Sequence, residues 1–316
     1  MKRSYVLPAF LLAGAVLMPA AALNLTATGT ENAAPIAENL TMITYKNVDI
    51  HGQCAAVDPE GDLVTFRLVD KPARGGVTLE ESGAFCYSPY ENKKGKDTFT
   101  YVAVDAAGNI SDEATVKITI EKQATTLSYS DMAGHTAHYA ALRLAEEDVF
   151  VGANFGGVYC FQPDAPISRS EFLAMAMTVA EVDALKSVTV TGFYDDDNIP
   201  SWAKGYVSAA VMSGAVQGRF NPSGQVLFHG EETITAAEAA VLIDRLLAMG
   251  DVSSRSAFAE DAVPSWAYQS VVNMEAVDVV SPTLSLSEPL TRSTAAEMLC
   301  SMMDVVEQRE ERSWLW

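Results

Sequence analysis

A fixed interval governs the larger part of this chain. One phrase recurs as Tyr129-Ser130-Asp131 … His138-Tyr139-Ala140, then Phe193-Tyr194-Asp195 … Trp202-Ala203, then Phe258-Ala259-Glu260 … Trp266-Ala267, with His138, Trp202 and Trp266 spaced 64 residues apart. A second phrase follows each first one: Ile167-Ser168-Arg169-Ser170-Glu171-Phe172, Ile234-Thr235-Ala236-Ala237-Glu238-Ala239 and Leu290-Thr291-Arg292-Ser293-Thr294-Ala295. Each unit reads as helix, short connection with Gly and Pro, helix. One helix pair cannot bury its apolar face alone, so equal units predict stacked or pseudo-symmetric packing.

The second phrase has a local cause. Ser168 with Glu171, and Thr235 with Glu238, form S/T-x-x-E capping boxes that open a helix. Thr291 keeps the cap in the third unit, but Thr294 stands where the glutamate belongs. Ile167, Ile234 and Leu290 precede the caps as hydrophobic staples. Apolar residues at i, i+3 and i+4 then predict helices over Phe172–Leu185, Ala239–Met249 and Ala295–Glu307. Arginine has no such local duty in the first turn, which makes Arg169 and Arg292 the more informative residues.

The chain before the repeats has a different texture. Val64–Val69, Thr98–Val104 and Ala114–Ile120 alternate apolar with polar, and turns such as Asp58-Pro59-Glu60-Gly61-Asp62 separate such runs. Short strands with turns between them predict a β-sandwich over 36–122. Charge is uneven across the change. Residues 23–122 carry a net −6 and residues 123–316 a net −16. The whole chain has 41 acidic and 21 basic side chains, a balance that repels nucleic acid and anionic membrane.

At the N-terminus, Lys2 and Arg3 precede the apolar run Tyr5–Met18 and the small residues Ala20-Ala21-Ala22. This pattern predicts a signal peptide over 1–22, a linker over 23–35, and no transmembrane segment once the signal is removed.

The helical half resembles a triplet of S-layer homology domains. The aromatic-x-acid start, the Trp-Ala that follows and the Ile-Thr-Arg-Ala-Glu-like phrase carry the resemblance, over units at 127–185, 191–249 and 256–307 with a tail at 308–316. It implies an all-α fold of three helix-pair repeats around a central bundle, anchored non-covalently to a secondary cell-wall polysaccharide, often a pyruvylated one. It also implies that Asp131, Arg169, Asp195, Trp202, Trp266 and Arg292 line the polysaccharide-binding grooves. A guanidinium fork pairs with a sugar carboxylate, and an indole stacks on a sugar's C–H face. This chain departs from the pattern at His138, Ala236, Glu260 and Thr294, so only two of the three arginines remain. Core packing is the competing role for Trp202 and Trp266, and a favourable charge at a helix start the competing role for Asp131 and Asp195.

Residues 32–122 resemble bacterial Ig-like/cadherin-like modules through Asp58–Asp62, Gly83-Ala84-Phe85-Cys86-Tyr87-Ser88-Pro89 and Asp97-Thr98-Phe99-Thr100-Tyr101. Some such modules bind calcium, for which Asp58, Glu60, Asp62 and Asp105 offer oxygen ligands; the alternative is a β-turn with Pro second and Gly fourth. A Cys54–Cys86 bridge closing 31 intervening residues would stabilise an exported domain by roughly 3–4 kcal/mol. Cys160 and Cys300 read as buried and unpaired. Asp195-Asp196-Asp197 reads as capping rather than a metal pair.

No nucleophile elbow, zinc-protease motif, phosphate loop or dinucleotide fingerprint occurs, so an enzyme is not expected. Two functional readings compete. One is a secreted wall-attached protein that displays an Ig-like module. The other is a protein–protein adhesion or surface-assembly module, with surface proteins as partners, whose grooves have degenerated. An arginine, a tryptophan and an acid converging at one boundary between units would favour the first.

Overall fold

A computed structural model describes residues 32–259 and 262–313, with side chains to 310. The expected signal peptide, most of the linker, Glu260 and the end of the tail lie outside the described residues. The chain divides into two compact units, Met1–Gln123 and Ala124–Trp316.

Alternation builds the first unit. Its strands are β1 (Ile36–Ala37), β2 (Leu40–Tyr45), β3 (Ile50–Gln53), β4 (Ala56–Val57), β5 (Thr65–Leu68), β6 (Gly75–Leu79), β7 (Ala84–Pro89), β8 (Gly95–Val104) and β9 (Ala114–Glu121). One sheet has the order β2-β9-β8-β5, with β2 parallel to β9 and the other pairs antiparallel; a second has the order β3-β7-β6. β1 pairs with β4 in a small ribbon. Successive side chains of a strand point to opposite faces. On β9 this sends Ala114, Val116, Ile118 and Ile120 inward, where they meet Phe66, Phe85, Tyr87, Phe99 and Tyr101 from both sheets. Phe85 and Phe99 touch edge to face at 5.2 Å. The Tyr101 hydroxyl, buried, donates to Glu38 O, and Tyr87 donates to Asp97 at 2.7 Å. Burial pushes the Tyr101 phenol up to about 12.

The same alternation overturns the expected Cys54–Cys86 bridge. Both thiols are free. Cys54 lies inside the core, whereas Cys86 is on the outer face of β7, 3.8 Å from His51 Nε2. The sheet stands between them. The acidic turn is equally local. Asp58 Oδ1 accepts the amides of Glu60 and Asp62, each at 3.0 Å, and Gly61 takes φ +81°. Glu60 accepts the Ala33 amide at 3.2 Å. Asp105 accepts the amide and side chain of Asn109 and the side chain of Asn32, each at 2.8 Å. The calcium candidates thus serve backbone turns, and among the described residues no three His, Cys, Asp or Glu side chains converge as a metal site.

The second unit contains α1 (His138–Glu146), β10 (Ala153–Phe155), β11 (Val158–Cys160), α2 (Arg169–Val179), a 3-10 turn (Asp196–Asn198), α3 (Lys204–Ser213), β12 (Arg219–Phe220), β13 (Val226–Leu227), α4 (Ala236–Leu247), α5 (Tyr268–Glu275) and α6 (Arg292–Ser313). β10–β11 and β12–β13 are hairpins. The connection between α5 and α6 has no strand pair among the described residues. Three residues set just before the caps close a ring. Ile167 N donates to Leu290 O at 3.1 Å, Ile234 N to Ile167 O at 3.2 Å, and Leu290 N to Ile234 O at 2.8 Å. All three are buried, so the expected staples also form the hub. Helices pair across the repeats rather than within them. α3 packs on α2, α5 on α4, and α1 on α6, while α2 also touches α4 and α6. Arg143 of α1 fastens the last pairing through Asp304 at 2.5 Å and Glu307 at 2.8 Å.

Candidate functional site

Cross-repeat pairing sets up three boundaries, α2/α3, α4/α5 and α6/α1, each led by the cap phrase of the earlier unit in the cycle. The caps form as the phrases predict. Ser168 Oγ accepts the Glu171 amide at 3.2 Å while Glu171 Oε2 accepts the Ser168 amide at 2.9 Å. Thr235 and Glu238 repeat this at 3.4 and 3.1 Å. In the third phrase a hydroxyl pair, Thr291 with Thr294 at 3.0 Å, replaces the box.

Each box glutamate has a second oxygen, and it faces the arginine of the preceding unit. Glu238 Oε1 lies 2.6 Å from Arg169 Nη2, and Glu171 Oε1 lies 4.0 Å from Arg292 Nη2. The main chain sets the reach: Arg169 N donates to Glu232 O at 2.9 Å, and Arg292 N donates to Ala165 O at 2.8 Å.

The acids of the first phrase act on the backbone. Asp131 accepts the amides of Phe161 at 2.9 Å and Gln162 at 2.8 Å. Asp195 accepts those of Phe228 at 2.8 Å and His229 at 2.7 Å. They brace the segment that leaves each hairpin, and the helix-start role does not hold. The neighbouring Asp196 is not a cap either. It binds Lys204 Nζ at 2.6 Å and the Thr191 amide and hydroxyl, each at 2.7 Å, contacts that hold its carboxyl down at about 2.

Both tryptophans are exposed, Trp202 by 52% and Trp266 by 60%, which removes the core-packing alternative. Each stands just before the first helix of its unit.

The boundaries therefore differ. Around the α2/α3 pairing, Arg169 opens α2 while Asp195 and Trp202 precede α3. At α6/α1 stand Arg292 and Asp131, which converge on one segment: Arg292 donates to Gln162 Oε1 at 2.6 Å and to Phe161 O, and lies 5.5 Å over the Phe150 ring. His138 takes the tryptophan's place there. At α4/α5 stands Trp266 with Ala236 in place of arginine.

A residue outside the motifs joins the α2/α3 boundary. Arg219 opens β12 and contacts the Glu238 oxygen that Arg169 also holds. Its position depends on Gly218 at φ +75°, where a Cβ would come within 2.5 Å of the Phe193 ring. Burial and then the Arg169 charge lower the Arg219 pKa, and burial lowers that of Arg169. Arg169 Nε is buried with no hydrogen-bond partner among the described residues. Arg219 also lies 3.7 Å from Glu232, which His229 Nδ1 meets at 2.8 Å. An open cleft of about 350 Å³ adjoins, lined in part by Asp195, Asn198, His229 and Glu232. A larger cleft of about 560 Å³ under Thr125–Ser130 holds none of the six motif residues.

Comparison with known proteins bears on both halves. Residues 24–122 match a family described as the bacterial cadherin-like domain. Residues 128–173 and 192–240 match the S-layer homology domain. These are non-catalytic anchoring or structural modules, and no enzyme family is indicated. No curated protein matches the chain. Among solved structures, the SrpA adhesin of Streptococcus sanguinis is 16% identical over 33% of this chain and 65% of its own, with a TM-score of 0.25. Fibronectin(III)-like modules of Clostridium thermocellum CbhA are 16% identical over 30% of this chain and 51% of theirs, with a TM-score of 0.22. A SusE-like surface located polysaccharide binding protein of Bacteroides thetaiotaomicron is 19% identical over 29% of this chain and 15% of its own, with a TM-score of 0.21. This chain spans less than two thirds of each, and likenesses this low carry no argument. No described helix is long and apolar enough to cross a membrane.

Proposed function

We propose that this chain, which carries a bacterial cadherin-like domain followed by S-layer homology domains, is a secreted surface protein held non-covalently on the cell wall by a secondary polysaccharide. In this reading residues 256–307 form a third S-layer homology unit, and the cadherin-like module is displayed outward.

One observation carries the assignment of the site. Arg169 opens α2, the exposed Trp202 and the bracing Asp195 precede α3, and the His229 amide held by Asp195 adjoins Gly230, whose carbonyl accepts the Ser170 amide next to Arg169. Trp202 offers the flat apolar face that a sugar ring stacks on. Arg169 offers the planar cation suited to a carboxylate. Asp195 spends both oxygens on backbone amides, so its part is to fix the cleft wall beside them. The α6/α1 boundary keeps a cation without the indole, and α4/α5 keeps an indole without the cation.

A pull-down of the full chain on native walls, and on walls stripped of polysaccharide, tests the anchoring. Retention on native walls alone is expected; equal retention on both would contradict it. The protein-assembly reading draws on Tyr194 and Phe220, exposed by 68% and 77%, whose backbones flank β13. It predicts retention on stripped walls that carry surface proteins.

A further inference from the structure

Resting on that anchoring reading, we propose that Arg219 is a second, specificity-determining cation of the α2/α3 boundary. With Arg169 it takes the carboxylate of an acidic wall sugar in the place now held by the Glu238 side chain.

The site already demonstrates the chemistry it accepts. The Arg169 and Arg219 guanidinium groups both face the Glu238 carboxylate, so a side chain of the protein itself stands between two planar cations. Arg169 and Arg219 face two acids, Glu238 and, at 3.7 Å from Arg219, Glu232. Glu232 also meets His229 Nδ1 at 2.8 Å. Glu231 lines the same cleft, and Asp195 is already saturated by amides. The buried Arg169 Nε keeps an unused donor. A carboxylate that displaces Glu238 therefore takes over its place between the two guanidinium groups and finds one unused donor.

Glu238 can yield without unfolding the helix. Its other oxygen stays on the Thr235 amide as half of the capping box. Arg219 sits on the β12–β13 hairpin, and its half-exposed side chain reaches out to Glu238 and Glu232. At the α6/α1 boundary Gln162 and the Phe161 carbonyl take up Arg292, and the second arginine there, Arg143, is held by Asp304 and Glu307. Acid recognition thus falls to a single boundary.

The test uses the full chain, purified wall polysaccharide, and the same polymer with its carboxyl groups reduced to alcohols. Arg219→Ala is expected to weaken binding to the native polymer about tenfold, as loss of a charge-assisted hydrogen bond does, and to leave the reduced polymer unaffected. Glu238→Gln keeps the capping box, because glutamine serves the same position. It removes the internal competitor, so native polymer should bind more tightly. Wild-type affinity in both variants would overturn this proposal while leaving wall anchoring intact. Absence of binding by the unsubstituted chain to either polymer would overturn both. Inorganic phosphate competing better than glucuronate would overturn the carboxylate assignment.

Discussion

Glu171 and Glu238 divide their two oxygens between two duties. One oxygen closes a capping box, and the other faces the arginine of the preceding unit. The third boundary lacks both partners, since Ala236 stands where the arginine would be and Thr294 where the glutamate would be. An unpaired buried charge is costly, so losing both together leaves neither stranded. The capping role was legible because an S/T-x-x-E phrase is local. The arginine pairing was not, because it depends on how units meet. Arg219 was missed for the same reason: it belongs to no periodic pattern, and only Gly218 before it hinted at a forced turn. Asp196 carries a prediction at this scale. Its carboxyl is held at about 2 against an ordinary 3.8, so its stabilising effect is full above about pH 4 and is lost as pH falls through 2. Asp196→Asn should flatten that part of the acid-unfolding profile. An unchanged slope between pH 4 and pH 2, followed by circular dichroism, would refute the role.

Helix starts and helix ends were unequally legible. α2 opens at its cap as expected but stops at Val179, short of the Leu185 that apolar periodicity suggested. Glu181 adopts φ +56°, Val182 N donates to Met177 O, and Glu181 N donates to Thr178 O, a Schellman ending without glycine. Asp148, Ala248 and Asp278 turn left-handed after α1, α4 and α5 in the same way. Glycine is the usual signal for such an end, and none of these positions carries it. Strands fared better, because alternation is set by burial of one face. β9 covers the expected Ala114–Ile120 and one residue more. The capping box yields a stability prediction. Ser168→Ala should cost about 1 kcal/mol in urea unfolding, typical of a lost N-cap hydroxyl. No loss would mean that the box contributes nothing to α2.

The repeat interval implied pseudo-symmetric packing, and the hub formed by Ile167, Ile234 and Leu290 shows how it is made. What sequence spacing did not disclose is the exchange of helices between units. Each first helix packs on the second helix of the preceding unit, so each boundary mixes two repeats. Completeness of a groove therefore had to be judged across repeats. A net charge of −16 over residues 123–316 sharpens the demand on the few cations that remain, because an acidic polymer meets repulsion everywhere else on this half. In the proposed function one boundary, α2/α3, holds the wall polysaccharide. Equilibrium titration of the full chain, Trp202→Ala and Trp266→Ala with purified wall polysaccharide tests it most directly, since both indoles are exposed and neither change disturbs the core. Trp202→Ala should lose about tenfold in affinity, the scale of one aromatic stacking contact, and Trp266→Ala should bind as the unsubstituted chain does. An equal loss in the two variants, or a loss confined to Trp266→Ala, would contradict it.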